Sequence, residues 1–188
     1  RRWIAVTTTV KVWDPIVRTL HWSLAIGFLA NFMNEGGDPL HNWLGYAALL
    51  VIAVRLVWGW VGPRHARFSD WVRGPRAVSR YLRERLVGRS RRQLGHNPGA
   101  AAMMLALLAG VVLVGVTGWL QTTDRFFGAE WLEEFHEVLA YSVLVLVGLH
   151  VVAAISESLH DRENLIASMF HGRKRALDDN HGNHGMRP

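Results

Sequence analysis

Apolar residues gather into four long runs along the chain, separated by segments that are mostly polar. The first extends from Pro15 to Asn34 and is interrupted by Arg18, His21 and Asn31. The second covers Leu40 to Val61 with one internal charge, Arg55. The third, Pro98 to Leu120, opens on Asn-Pro-Gly and is rich in Ala, Leu and Val. The fourth runs from Leu132 to Ser156. About 20 apolar residues cross the hydrocarbon of a bilayer, so each run predicts a transmembrane helix. The expected fold class is all-α: an integral membrane four-helix bundle, one domain over residues 1–188.

Between the second and third runs, residues 75–87 (PRAVSRYLRERLV) set Val78, Tyr81, Leu82 and Leu86 at helical spacing among arginines. This pattern predicts a short helix lying on the membrane surface. A solvated connector is the alternative. Residues 178–188 (DDNHGNHGMRP) are polar and contain glycine, and read as a disordered tail.

Charge orients the bundle. The loop 62–97 holds Arg64, Arg67, Arg73, Arg76, Arg80, Arg83, Arg85, Arg89, Arg91 and Arg92 against Asp70 and Glu84. The N-terminal flank adds Arg1, Arg2, Lys11 and Arg18, and the C-terminal flank Arg162, Arg173, Lys174 and Arg175. The two remaining loops carry Glu35, Asp38, Asp124, Glu130, Glu133 and Glu134, with Arg125 their sole cation. By the positive-inside rule the arginine loop and both termini are cytoplasmic. A net charge of +6 would suggest nucleic acid in a soluble chain, but half of these 188 residues are hydrophobic. No cysteine is present, which excludes disulfides, thiolate metal sites, iron–sulfur clusters and covalent c-type haem. Residues 1–20 hold no apolar core of the cleavable-leader kind.

Four histidines lie within or at the ends of the apolar runs. His136 and His150 are fourteen residues apart, within roughly 40° of four whole helical turns, so they share a face about 21 Å apart. Ala140, Val143 and Val147 lie between them on that face and are small. Topology puts His41 and His136 toward the outer side and His21 and His150 toward the inner. A single intramembrane histidine could simply bridge helices. Four at two matched depths point to two stacked bis-histidine b haems, with His21, His41, His136 and His150 as axial iron ligands. Filling both axial positions suits electron transfer, because no position is left for oxygen or substrate. Gly45, Ala48 and Gly148 thin the helix walls near the ligands, and Gly110, Gly115 and Gly118 allow close packing of the third run.

Arg55 falls fourteen residues after His41, at inner-haem depth, where a haem propionate would neutralise it. Arg18, one turn before His21, is the second candidate, and snorkelling is the alternative for Arg55. His65, His96, His160, His171, His181 and His184 read as surface residues. His181 and His184 are too sparse for a metal site. Trp3, Trp13, Trp22, Trp43, Trp58, Trp60, Trp119 and Trp131 fall near the predicted interfaces and read as an aromatic belt.

The segments VWDPIVRTLHW (12–22), LHNWLGY (40–46), RLVWGWVGPRHARFSDWV (55–72), GVTGW (115–119) and the His136/His150 pair together make the chain resemble the bacterial cytochrome b561 family. That family includes the b-type cytochrome subunits of membrane-bound nickel–iron hydrogenases, and the resemblance covers residues 10–175. It implies four transmembrane helices, two b haems on the same four histidines, and electron exchange between quinone and a partner protein. The long arginine loop resembles the branch that pairs with hydrogenases or small c-type cytochromes.

Two function classes follow. One is an electron-transfer subunit, without substrate chemistry of its own, linking the quinone pool to a periplasmic c-type cytochrome or hydrogenase-like partner. The other is a stand-alone superoxide:ubiquinone oxidoreductase. A superoxide collector needs a cationic outer face to focus the anion, and the outer loops are acidic. A haem-free anchor is a third class, distinguished by the absence of a b-type spectrum.

Overall fold

The computed structural model describes residues 9–34, 38–88 and 97–176. The chain begins with a short strand, β1 (Thr9–Lys11), followed by α1 (Pro15–Phe32) and α2 (Pro39–Val61). A 3-10 turn at Arg64–Ala66 leads to α3 (Phe68–Trp71) and α4 (Pro75–Leu86). Then come α5 (Pro98–Gln121), α6 (Glu130–Asp161), α7 (Leu165–His171) and a last strand, β2 (Arg173–Arg175).

Three of the long helices start in one way. Asp14, Asp38 and Asn97 each precede a proline, and each side chain accepts from a backbone N–H of the first turn. The acceptor satisfies an orphan donor, and proline at the first helical position needs no partner. α6 has no side-chain cap but carries Glu130 and Glu133 in its first turn, where negative charge favours the helix dipole.

α1 packs on α2, α2 on α5, and α5 on α6. Small residues draw the second and third of these together. A Cβ on Gly110 would lie 2.7 Å from Val143 of α6, and one on Gly115 2.6 Å from Leu49 of α2. Outward-facing side chains such as Leu50, Val57, Val145 and Val152 are exposed, as a lipid-facing surface requires. By length and composition α2, α5 and α6 can each cross a membrane. α1, with Arg18, His21 and Asn31 in 18 residues, falls short of that criterion.

β1 pairs antiparallel with β2, with Thr9 opposite Arg175 and Lys11 opposite Arg173. The described ends of the chain therefore lie together. α7 closes the same end: the Trp13 indole donates to Ser168 Oγ, and Trp22 stacks on Phe170 with ring centres 4.4 Å apart. Gly172 ends α7 at φ 79°, and a Cβ there would meet the Trp13 carbonyl at 2.7 Å. Only glycine fits both demands.

Residues 75–86 do form a helix, and α4 lies against α5. The Tyr81 hydroxyl donates to Glu157 Oε1 at 2.7 Å and Arg85 Nε to the same oxygen at 3.0 Å, which pins α4 to α6. The tryptophans divide. Trp43, Trp60, Trp119 and Trp131 are exposed on the bundle, whereas Trp13 is 6% exposed and Trp22 and Trp58 turn inward. The indole N–H explains the second group, since those of Trp13, Trp22 and Trp58 find Ser168, the Met169 carbonyl and Asp14. Trp3, Glu35, Arg89, Arg91, Arg92, His96 and the tail 178–188 lie outside the described residues.

Candidate functional site

α6 carries both His136 and His150, and its 32 uninterrupted residues fix their separation at about 21 Å along the axis. Opposite them, α2 supplies His41 and α1 supplies His21. The His41 and His136 ring centres are 6.2 Å apart, and those of His21 and His150 are 6.4 Å apart. The four histidines singled out by sequence therefore meet as two pairs, at the two ends of the bundle. All four are partly buried.

The gap between the rings is informative. Two imidazoles sharing one metal ion at about 2 Å each have ring centres about 6.3 Å apart. Both pairs have that width. Among the described residues no cluster of three or more His, Cys, Asp or Glu could hold a metal ion. An ion between either pair thus fits only if it brings its own equatorial donors, as porphyrin iron does. Cβ atoms on Gly45 and Gly148 would meet nothing within 4 Å, so the walls near His41 and His150 leave open space.

At the His41–His136 pair, His41 Nδ1 lies 3.1 Å from the Asn34 carbonyl, which can only accept. His136 Nδ1 lies 2.9 Å from the Thr117 hydroxyl. The first contact puts the His41 ring proton on Nδ1 and leaves its Nε2 as the bare donor. Neither partner was visible in the sequence. Asn34 acts through its backbone, and α5 holds no histidine to suggest which of its faces meets α6.

Two arginines, Arg55 of α2 and Arg18 of α1, carry buried donors. Arg55 is 5% exposed, and its Nη1 and Nη2 are buried without a hydrogen-bond partner. Its guanidinium carbon sits 5.2 Å from the Phe68 ring centre. Asp14 is near enough to act on it electrostatically, but the Asp14 oxygens accept from Val17 N and the Trp58 indole. Arg18 donates through Nη1 to the Phe170 carbonyl, while its Nε and His21 Nδ1 are buried without partners. Buried donors without acceptors are costly, and a carboxylate-bearing ligand would satisfy them.

Among the described residues, two other histidines lie on the surface. His160 and His171 are exposed, and His171 Nδ1 accepts from Arg173 N. His65 sits in the 3-10 turn, and His96, His181 and His184 lie outside the described residues. Asp38, Asp124, Glu130, Glu133 and Glu134 are exposed at the end of the bundle that holds His41 and His136.

Residues 12–172 match the family described as prokaryotic cytochrome b561. The chain is similar to a probable Ni/Fe-hydrogenase B-type cytochrome subunit from Rhodobacter capsulatus, 26% identical over 92% of this chain and 84% of that protein. Proteins of the same name from Azotobacter vinelandii and Bradyrhizobium diazoefficiens are each 27% identical. They align over 92% and 90% of this chain and 91% and 87% of their own lengths. No solved structure matches it.

Proposed function

The chain belongs to the prokaryotic cytochrome b561 family, and from that premise we propose that it moves electrons across the bilayer between the quinone pool and a periplasmic redox partner. At the coarser level it is a multi-pass membrane b-type cytochrome that transfers electrons. The finer reading rests on one observation: the two histidine pairs, each spaced for a shared metal and separated by about 21 Å along α6.

In this reading α1 is the fourth span. It packs along α2, and two of its polar residues find partners on other helices: His21 faces His150 of α6, and Arg18 reaches the Phe170 carbonyl of α7. The arginine-rich end, with β1, α4 and α7, is cytoplasmic, which makes His41 and His136 the periplasmic pair. His41 and His136 would hold one b haem, and His21 and His150 the other. Each haem, when bound, supplies a one-electron iron couple.

The protein's own residues do the rest. The paired imidazoles would hold the iron from both sides and leave no place on it for oxygen. Arg55 and Arg18, whose buried donors lack acceptors, would receive propionate charge of the inner haem. Exposed Asp38, Asp124, Glu130, Glu133 and Glu134 surround the outer pair and favour a partner with a basic face, a c-type cytochrome or a hydrogenase subunit. The same acidic surface disfavours collection of superoxide, so the electron-transfer subunit is the reading adopted over a stand-alone oxidoreductase.

Pyridine haemochrome analysis tests the assignment. About two b haems per chain are expected, falling to about one in His136→Ala and in His150→Ala. A wild-type value of one, or full haem in either variant, overturns it.

A further inference from the structure

The segment GVTGW on α5 carries no histidine, yet it forms the bed on which His136 rests. Thr117, one turn before the end of the mostly apolar α5, is 6% exposed. Its hydroxyl proton is directed at its own helix, 2.8 Å from the Leu113 carbonyl and 3.0 Å from that of Val114. A hydroxyl has one proton to give. With that proton on a carbonyl, the Thr117 oxygen can only accept from His136 Nδ1, 2.9 Å away. The next residue makes the approach possible: a Cβ on Gly118 would lie 3.1 Å from His136 Cε1. Back-bonding of threonine to its own helix is common. The second contact, to a histidine on a neighbouring helix, is what sets this residue apart.

We propose that Thr117 is a positioning residue for the outer pair, holding His136 as the Nδ1–H tautomer and turning Nε2 toward His41. The proposal rests on the reading that His136 is a haem ligand, and deepens it. Accepting the Nδ1 proton makes the imidazole a stronger donor, which favours ferric over ferrous iron and lowers that couple's potential. The inner pair has no such contact at His21, whose Nδ1 is buried without a partner. Loss of the Thr117 hydroxyl therefore acts on one couple only.

The experiment is a redox titration of purified protein carrying Thr117→Val, Thr117→Ala or Thr117→Ser, with haem content and the low-spin ferric resonance spectrum recorded alongside. His136→Ala first identifies the outer couple by its disappearance. Val and Ala variants are expected to raise that couple by a roughly tenfold change in the ferric–ferrous equilibrium, about 59 mV for one electron. The inner couple stays in place, and Ser restores the wild-type value. Two removals of the same hydroxyl are used so that a packing failure in one leaves the other readable. If His136→Ala keeps both haems, the ligand reading fails. If it removes one haem while Val and Ala leave the outer couple and its resonance unchanged, the role of Thr117 fails alone.

Discussion

Arg55 is the one charged residue of α2, and it is buried. Its terminal nitrogens are buried without acceptors, and Asp14, whose charge acts on it, is engaged by Val17 and Trp58. A positive charge near a haem favours the ferrous state, which carries one positive charge fewer than the ferric. Arg55→Leu is therefore expected to lower one of the two midpoint potentials, the one that persists in His136→Ala. Equal potentials in wild type and variant would leave the guanidinium without a redox role. At Gly118 the expectation is steric. An added methyl 3.1 Å from His136 Cε1 must displace the ring, so Gly118→Ala should reduce outer-haem content measured by haemochrome, while leaving the inner haem. Residue roles were unevenly legible in the sequence. The histidines stand out because an ionisable group in an apolar run is costly, and their rings meet in the pairs that depth suggested. Thr117 gave no such signal, because a threonine in a helix usually satisfies itself.

Among the elements, α4 departs furthest from a simple membrane-surface helix. Its apolar side rests on α5, and Tyr81 and Arg85 converge on one oxygen of Glu157. Arg85 and Glu157 side chains are 24% and 19% exposed, so solvent screens this pair less than an open surface pair. Tyr81→Phe should lower stability by about 1 kcal/mol, and Glu157→Leu by about 2–3 kcal/mol because Arg85 loses its anion. Thermal unfolding of detergent-solubilised protein measures both. Burial first, and the Glu157 hydrogen bond second, push the Tyr81 phenol above its ordinary value. For a raised value, the protonated phenol's contribution is complete below about pH 10 and is lost as pH climbs past it. The wild type should thus lose stability above that pH more steeply than Tyr81→Phe; parallel curves would show that the phenol is not the titrating group. The amphipathic pattern made α4 itself legible. Its docking on Glu157 was not, since spacing shows which face is apolar but not which neighbour receives it. The three-residue strands β1 and β2 had no alternation long enough to read.

At the scale of the whole molecule the chain is strongly polarised. One end gathers β1, α4, α7 and β2 with their arginines, and the other presents Asp38, Asp124, Glu130, Glu133 and Glu134 around His41 and His136. This division was readable from loop charges, because cationic and acidic residues alternate from loop to loop along the sequence. Two explanations compete for the acidic end. It follows trivially if basic residues are merely kept on the cytoplasmic side, or it steers a basic redox partner to the outer pair. Steering acts mainly on the association rate, and exposed charges are screened beyond about 8–10 Å near physiological ionic strength. Stopped-flow electron transfer between the purified protein and a basic c-type cytochrome separates the two. Under steering, the second-order rate falls steeply as salt rises, and neutralising Glu130, Glu133 and Glu134 together slows it at low salt while flattening its salt dependence. The effect belongs to the surface and not to the haems, so both midpoint potentials should remain those of the wild type in the neutralised variant. A rate indifferent to salt, or unchanged by the triple substitution, would leave the acidic end as a by-product of membrane topology.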